Sequence, residues 1–482
     1  MNVLVLNPGS KFTKNVIRDV VYGCWCKGKR IGGATTPPFV LIQIASILDQ
    51  NKRNNVKLID ASAEKITIEE VKKTINNFNI VVMSTSTMSF GEDARYLAEL
   101  KDTNKNLKTI IFGSHPTFMP EDCLSNQAVD FIVLRDPEFI IGNLIKTIND
   151  KSDYRQLAGL GFKQGDEKII NHKFEPKDLN KLPFLNLKFL SKKIDYYNPI
   201  VGRLPYMALS TSRGCPGQCT FCTAPFFEGS NLRFQSAQYV FNEIKYFAQN
   251  GIKEIYFRDE TFFVDKARDQ EIMNNIIKEK VDITWLANAR IGLIDKEIIA
   301  LAKKAGCHTI KFGVESGNQD LLNKMKKGYR LEKAYEIFDY CNKIGLKTHA
   351  HVMVGVPGET KETVEQTIKY VKRLDPTTAS FGICTPYPGS RLFDEVAAKA
   401  PEIKTTAYIS LANLHSQANY NKYYTNLDGK VIEKYVRIAY RRFYLRINKI
   451  FDIIFKNVRN LNDIKRITIA AANVLDFIIY GD

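Results

Sequence analysis

Short apolar runs alternate with amphipathic stretches twice along this chain, and that alternation limits the possible folds more than any other feature. In the first part the runs are Asn2–Leu6, Val56–Asp60, Ile80–Ser84, Thr109–Gly113 and Phe131–Leu134. Between them, Pro38–Gln50, Ile68–Asn77, Gly91–Leu100 and Glu138–Asn149 carry apolar residues at the spacing of one helical face. Pro38 suits a first helical position, where a missing amide hydrogen costs nothing. A β-α-β-α order predicts a doubly wound parallel, Rossmann-like sheet, because parallel neighbours need a crossover between them. From Tyr206 the alternation resumes with strands expected at Met207–Ser212, Glu254–Phe257, Thr284–Asn288, Thr309–Gly313, Thr348–Val354 and Ala379–Cys384. Helices such as Ala237–Gln249, Lys296–Lys304, Leu331–Ile344 and Lys361–Leu374 separate them. Six β/α units predict a partial, open (β/α)6 barrel. In both architectures ligands lie at the carboxyl ends of the strands.

At 482 residues the chain exceeds what one core usually serves. The expected division is an α/β sheet domain over 1–150, a connector over 151–204, a barrel over 205–400 and a helical region over 401–482. Pro176, Pro183 and Pro199 punctuate the connector, whose periodicity is weak. No run of 18 apolar residues occurs and Met1-Asn-Val-Leu-Val-Leu-Asn-Pro8 opens directly as a strand, so neither a membrane span nor a signal peptide is read and a cytoplasmic setting is expected. The net charge of +17 is compatible with an anionic substrate, surface or nucleic acid. Without a long Lys/Arg block, most of it is read as a solvated surface. Ile432, Val436, Ala439, Phe443, Ile447, Ile450 and Ile454 recur at helical steps among basic and aromatic residues. This stripe is read first as a helix covering the barrel, and second as a basic amphipathic element in peripheral contact with a membrane.

The expected strand ends of the first sheet carry Asn7-Pro-Gly-Ser10, Asp60-Ala-Ser62, Ser84-Thr-Ser-Thr-Met-Ser89 and Gly113-Ser-His-Pro-Thr117. These small, hydroxyl-rich segments suit a phosphate- or amide-bearing ligand, with Ser84, Ser86, Gly113 and His115 as candidates. The loop Gly23-Cys-Trp-Cys-Lys-Gly-Lys-Arg-Ile-Gly-Gly33 is long and cationic, which marks a functional or disordered segment. Its Cys24 and Cys26 are too few for a complete metal site. Cys123, Cys307, Cys341 and Cys384 are read as small buried hydrophobes.

After the first barrel strand comes Ser210-Thr-Ser-Arg-Gly-Cys-Pro-Gly-Gln-Cys-Thr-Phe-Cys222, a C-x3-C-x2-C run of Cys215, Cys219 and Cys222. Three thiolates on a short loop can hold three irons of a [4Fe–4S] cube and leave the fourth for a small molecule. On the fifth strand His349 and His351 share a face, because strand side chains alternate. If that face is the lumen they are substrate or proton-transfer candidates, as are Tyr387 and Cys384 near the last strand.

The cysteine run, with Phe221 just before its last member, resembles the signature of the radical S-adenosylmethionine (radical SAM) enzymes. Phe257-Arg-Asp-Glu-Thr-Phe262 resembles their acidic strand-end motif, which implies Asp259 or Glu260 at the methionyl ammonium. Gly313-Val-Glu-Ser-Gly317 and Met325-Lys-Lys-Gly328 resemble the ribose-contact region, implying Glu315 and Ser316. Val354-Gly-Val-Pro-Gly-Glu359 resembles the segment lining the adenine and implies Gly355; Pro386-Tyr-Pro-Gly-Ser390 closes the core as in many members. Arg290, ending the third strand, is the candidate for the methionyl carboxylate. The resemblance implies one-electron cleavage of S-adenosylmethionine and hydrogen abstraction from an unactivated carbon, with a reductant such as flavodoxin or ferredoxin.

The preceding sheet resembles the cobalamin-binding domain of the class containing methyltransferases, the anaerobic oxidative cyclase and hopanoid- and tetraether-lipid-modifying enzymes. Ala34-Thr-Thr-Pro-Pro38 is similar to that group. Its cobalt-ligating Asp-x-His-x-x-Gly pattern is absent, and His115 sits in Gly-Ser-His-Pro instead. The implied cofactors are a [4Fe–4S] cluster, S-adenosylmethionine and cobalamin, and the missing pattern leaves two alternatives for the last: bound without a protein imidazole, or not bound at all. The expected function is radical C–H functionalisation, by methylation or by C–C bond formation, of a small or lipid-like substrate. The competing readings are an RNA-modifying enzyme like the methylthiotransferases, which a helical tail disfavours along with nucleic-acid binding, and a non-enzymatic cobalamin- or cluster-binding sensor.

Overall fold

The computed structural model describes residues 1–10, 18, 35–173, 177–227, 229, 231–405, 418–457 and 461–480. The loop Gly23–Gly33 with Cys24 and Cys26, Ala34 and Pro176 lie outside the described residues.

The first sheet contains β1 (Asn2–Asn7), β2 (Asn55–Asp60), β3 (Ile80–Thr85), β4 (Lys108–Gly113), β5 (Phe131–Val133), β6 (Leu160–Gln164) and β7 (Glu167–Ile170), in the order β2-β1-β3-β4-β5-β6-β7. β1 to β5 are parallel, and the order reverses direction beside β1, as in a doubly wound sheet. All residues of β3 are buried, since helices cover both faces. Leu4, Leu6, Val81, Met83 and Ile111 face one core, while Val3, Val5, Ile80, Val82, Ile110 and Phe112 face the other. The second core runs on into the next sheet. The helix Phe39–Gln50 lies in this shared core and is buried nearly all round, which explains why its apolar residues are not confined to one stripe.

β6 and β7 correct the reading of 151–204 as a weakly patterned connector. They form a hairpin, antiparallel to β5, that extends the first sheet. Gly165 supplies a positive φ of 62° in its turn.

The second sheet joins β8 (Tyr206–Leu209), β11 (Glu254–Phe257), β12 (Thr284–Ala289), β13 (Cys307–Glu315), β14 (Lys347–Val354) and β15 (Thr378–Ile383) in sequential order, all parallel. Its helix-covered face carries Ile255, Phe257, Trp285, Ile310, Phe312, Ala350, Val352, Ala379 and Phe381. Alternation turns Tyr256, Lys311, His349, His351 and Ser380 to the inner face. A two-stranded ribbon of β9 (Ser212–Arg213) and β10 (Arg233–Phe234) brackets the cysteine run.

Helices Gly429–Tyr444, Ile447–Asn457 and Leu461–Tyr480 end the chain. Ile432, Val436, Ala439 and Phe443 are buried, and Phe381 of β15 packs on Phe443 and Tyr440. The stripe stops there, because the helix breaks after Tyr444. Ile447 is 72% exposed and Ile450 is also exposed, contrary to the expected continuous stripe; the Ile454 side chain lies outside the described residues. No helix among the described residues is long and apolar enough to cross a membrane.

Glu243, on the helix Ala237–Gln249, is 1% exposed and accepts a hydrogen bond from the Leu185 amide at 2.8 Å. Burial pushes its carboxyl up to about 7, the Leu185 amide opposing. Above its ordinary pKa the unfolded chain loses this proton while the folded chain keeps it. Stability present in acid is therefore lost as pH rises through the folded value, by up to about 3 kcal/mol. Urea unfolding between pH 5 and 8 should show this decline, roughly, and Glu243→Gln should flatten it. An unchanged slope would assign the decline to other groups.

Candidate active site at the cysteine run

The ribbon holds the cysteine run at the carboxyl end of β8. Cys215 and Cys219 are buried and Cys222 is half-buried. The Gly217 amide lies 3.4 Å from Cys215 Sγ, and the Cys222 amide donates to the Cys219 carbonyl at 3.2 Å. Burial pushes the thiols of Cys215 and Cys222 up, and the nearby Glu260 carboxylate adds to this. The sulfurs of Cys215 and Cys219 also raise Cys222, so the three thiols and Glu260 share one site. Arg290 closes it from β12, donating from Nη1 to Cys219 Sγ at 3.3 Å and from Nη2 to the Lys327 carbonyl at 2.7 Å. A Cβ at position 217 would lie 2.3 Å from Arg290 Nη1, so a glycine lets the guanidinium approach the loop.

Glu315 has a left-handed φ of 64°, and its carboxylate pairs with Lys327 at 2.7 Å in a buried contact. The Lys327 ammonium stands 5.9 Å from the centroid of the Phe221 ring. Sequence reasoning quoted the segment containing Lys327 but missed this ion pair. Farther inside, the His349 and His351 rings meet at 4.6 Å. His349 bonds Thr378 Oγ1 and Ser380 Oγ at 2.8 and 3.2 Å, and His351 Nδ1 lies 2.9 Å from Ser380 Oγ. Burial and then Lys311 pull His349 down to about 3, which keeps it neutral; His351 is lowered by the same causes. Tyr256, Arg258 and Lys311, which alternation could have placed here, complete the inner face.

Several expected residues play other parts. The Asp259 carboxylate is 1% exposed and accepts from the Thr211 amide at 2.8 Å, from Thr211 Oγ1 and from Ser212 Oγ. It fastens the start of the cysteine segment to β11, leaving Glu260 as the acid beside the thiols. Ser316 is fully buried and bonds Thr367 Oγ1 and the Asn318 amide. The Gly355 amide donates to Glu359, and a Cβ there would lie 2.8 Å from Asn421 and 2.9 Å from Ile432, so this glycine admits the tail against the strand end. Cys384 is packed in the large core rather than the lumen. Tyr387 lies with Met88, Phe393 and Val396 at the seam between the sheets, its hydroxyl 4.0 Å from Met88 Sδ.

That seam brings the carboxyl ends of both sheets together. Phe118, after β4, packs on Phe227 at 5.9 Å. Asp136, after β5, holds Arg233 at 2.6 and 3.1 Å, and Glu138 holds Arg213 at 2.8 Å. Ser84 and Ser86 are buried at the end of β3, with Ser86 Oγ 3.1 Å from Ser89 Oγ. At Gly113, with φ 125°, a Cβ would overlap the Thr85 carbonyl. His115 is fully buried, with Nδ1 at Thr87 and Nε2 2.9 Å from Asp122; this is a packed histidine rather than an open ligand.

The family model described as the Radical SAM superfamily matches residues 209–371, and that of the B12 binding domain matches 32–141. An uncharacterized methyltransferase PH0819 of Pyrococcus horikoshii is 31% identical over 443 residues, covering 89% of this chain and 92% of that protein. The chain belongs to the radical SAM superfamily. The anaerobic magnesium-protoporphyrin IX monomethyl ester cyclase of Rubrivivax gelatinosus is 26% identical, over 88% of this chain and 76% of its own. The cobalamin-dependent radical enzyme OxsB shares the fold with a TM-score of 0.69 at 15% identity, covering 99% of this chain and 72% of that one. The methyltransferase TsrM of Kitasatospora setae gives 0.66 at 17% identity, covering 83% and 78%.

This radical SAM enzyme uses a [4Fe–4S] cluster, S-adenosylmethionine and cobalamin. The residues present fit them. Three neighbouring thiols are a suitable donor set for three corners of a cube. Among the described residues, the buried hydroxyls of Thr261, next to Glu260, and Ser114, next to Gly113, have no hydrogen-bond partner. Each is a buried polar group left for a partner beyond the chain's own side chains.

Proposed function

We propose that this enzyme functionalises a C–H bond of a small molecule held on the inner face of the barrel, with Cys215, Cys219 and Cys222 as the cluster ligands. The observation that carries this reading is the convergence of the three thiols, Glu260 and Arg290 at a strand-end seam shared with the hydroxyl-rich ends of the first sheet. When bound, the cofactors supply one-electron cleavage of a sulfonium C–S bond and a cobalt centre for methyl transfer or cyclisation.

The chain's own residues bind, orient and shield. Glu260 offers a carboxylate to the methionyl ammonium, and Arg290 a guanidinium to the methionyl carboxylate, at hydrogen-bond strength raised by charge. The Glu315–Lys327 pair offers its carboxylate edge to the ribose hydroxyls. Glu254 seals the floor of the barrel: it accepts from the amides of Gly202 and Arg203, from Thr284 Oγ1 and from His308. Such closure keeps water from a reactive intermediate. His349 and His351, uncharged, present hydrogen-bonding groups to the substrate. A methyl-transferring reaction is favoured by the identity to the Pyrococcus protein, and the cyclase relative supports C–C bond formation on the same scaffold. A small electron carrier such as flavodoxin or ferredoxin would supply the reducing electron.

Anaerobic reconstitution with iron and sulfide, followed by dithionite and S-adenosylmethionine, tests the reading. 5′-Deoxyadenosine and a visible spectrum of bound cobalamin after incubation with hydroxocobalamin are expected. Cluster loading without S-adenosylmethionine cleavage would instead support a sensor.

A further inference from the structure

The last three helices are pinned to the body on one side and turn apolar side chains to solvent on another. Gly429–Tyr444 packs on β15 through Phe443 and Tyr440, and the Tyr444 hydroxyl donates to the Ala379 carbonyl at 2.6 Å. Lys449 pins Ile447–Asn457: it is buried and donates to the Pro376 carbonyl at 2.8 Å, with Asp375 at the same distance. Phe477 pins Leu461–Tyr480, buried with its ring 5.2 Å from that of Tyr440.

Ile447, nearly opposite Lys449 around its helix, is the most exposed residue of that pair. On the third helix Ile464, Thr468, Ala471, Leu475 and Ile479 recur at steps of four, three, four and four, which is one helical face, and all five are exposed. Thr468 turns its hydroxyl back to the Ile464 carbonyl at 2.9 Å. Val474, Phe477 and Ile478 of the same helix pack against the large core. Leu461–Tyr480 is therefore apolar on two faces, and only one of them meets protein. A helix apolar all round belongs inside an apolar medium, and an exposed apolar patch of this kind marks an interaction site.

A line of cations runs into this patch. Lys430, Lys434, Arg437 and Arg441 recur at steps of four, three and four along Gly429–Tyr444, three of them exposed and Arg437 partly so. Leu445, one turn beyond Arg441, is exposed, and its amide donates to the Arg441 carbonyl at 3.0 Å, so the line passes from guanidinium to leucine and on to Ile447. Arg442 and Arg446 lie off this line and are engaged by Glu365 and Asp375. From Lys422 to Asp482 there are 12 Lys and Arg against 6 Asp and Glu.

This pattern selects the occupant. A twofold contact between copies is self-complementary and would bring the cation line toward its own image, where like charges oppose the contact. An anionic lipid surface answers both halves at once, with acyl chains for the isoleucines and leucines and headgroups for the cations. No helix among the described residues is long and apolar enough to cross a membrane, so the contact is a lateral one.

We infer that the three helices form a peripheral face for an anionic lipid surface, with Leu445, Ile447, Leu475 and Ile479 entering the acyl boundary and the line from Lys430 to Arg441 at the headgroups. The inference stands on these helices alone and does not depend on the cysteine site.

The test is co-sedimentation of the full chain, its cluster reconstituted, with sucrose-loaded phosphatidylcholine vesicles, with and without a third of phosphatidylglycerol. Binding to the anionic vesicles that weakens in high salt is expected, with little binding to the neutral ones. Ile447→Ser combined with Ile479→Ser should weaken it about tenfold or more, because each change withdraws several methylenes from the acyl boundary. Lys434→Gln combined with Arg441→Gln should weaken it about twentyfold, since each cation near an anionic surface contributes a factor of about five. All four positions lie on solvent-facing turns, so both pairs should keep the circular dichroism of the parent. A parent that stays in the supernatant with anionic vesicles overturns the inference, as does a folded pair that binds as the parent does. Should one pair misfold, the other decides; should both, the lipid and salt series of the parent decides. Light scattering without vesicles reports on the other occupant. A dimer that the isoleucine pair dissolves would assign the face to a second copy and overturn the membrane assignment.

Discussion

Alanine at any one of Cys215, Cys219 or Cys222 is expected to abolish S-adenosylmethionine cleavage, with iron and sulfide falling from about four per chain toward the background of a chain that holds no cube. Each thiolate anchors one corner, and two anchors leave two irons open to solvent and to loss. The chain itself should fold. The run lies in a loop bracketed by β9 and β10, whose backbone pairing does not involve the sulfurs. Cys341→Ala provides the contrast, since Cys341 is fully buried in the core among barrel helices. It should lose roughly 1–2 kcal/mol of stability, within the range for a small buried truncation, and keep its cluster. Iron and sulfide analysis with urea unfolding separates the two behaviours. A Cys219→Ala chain that still carries four irons would show that the ligand set is wrong.

The strands were legible because parallel strands covered on both faces write themselves as continuous apolar runs, as in Ile80-Val-Val-Met83. The β6–β7 hairpin was not, because its strands are short, β7 at the sheet edge is largely exposed, and neither leaves a long apolar run. Of the site, the cysteines and the acidic strand end could be read locally. The choice between Asp259 and Glu260 could not: both lie just past the end of β11, and what captures Asp259 is Thr211 and Ser212, nearly fifty positions earlier in the chain, with Arg268 adding its charge. Ser316 was lost to the left-handed turn at Glu315, which sends the next side chain toward Thr367. Tyr387 was displaced by the contact between the sheets, which no periodicity within one element encodes. The exposed Ile447 had the same cause in reverse, since a register of apolar residues continues through a break that the backbone does not.

The ion pairs of the β9–β10 ribbon were invisible for the same reason of distance. Arg233 and Asp136 are 97 residues apart, and Arg213 and Glu138 are 75 apart. Both pairs are largely buried, and they tie the two ends of the cysteine run to the first sheet. Arg233→Met should cost about 3–5 kcal/mol, because it strands the Asp136 carboxylate in the interior. Arg233→Met combined with Asp136→Leu should recover most of that stability, since replacing both members of a buried pair by apolar residues is often neutral. The double variant is the informative one. It would be stable but without the tether, so the cluster should no longer keep a fixed distance from the first sheet. Pulsed electron paramagnetic resonance between the reduced cluster and bound cob(II)alamin should give a narrow distance distribution in the parent and a broad one in the double variant. A distribution as narrow as the parent's would mean that Phe118 on Phe227 and the Met88–Tyr387 seam hold the sheets in place without the arginines.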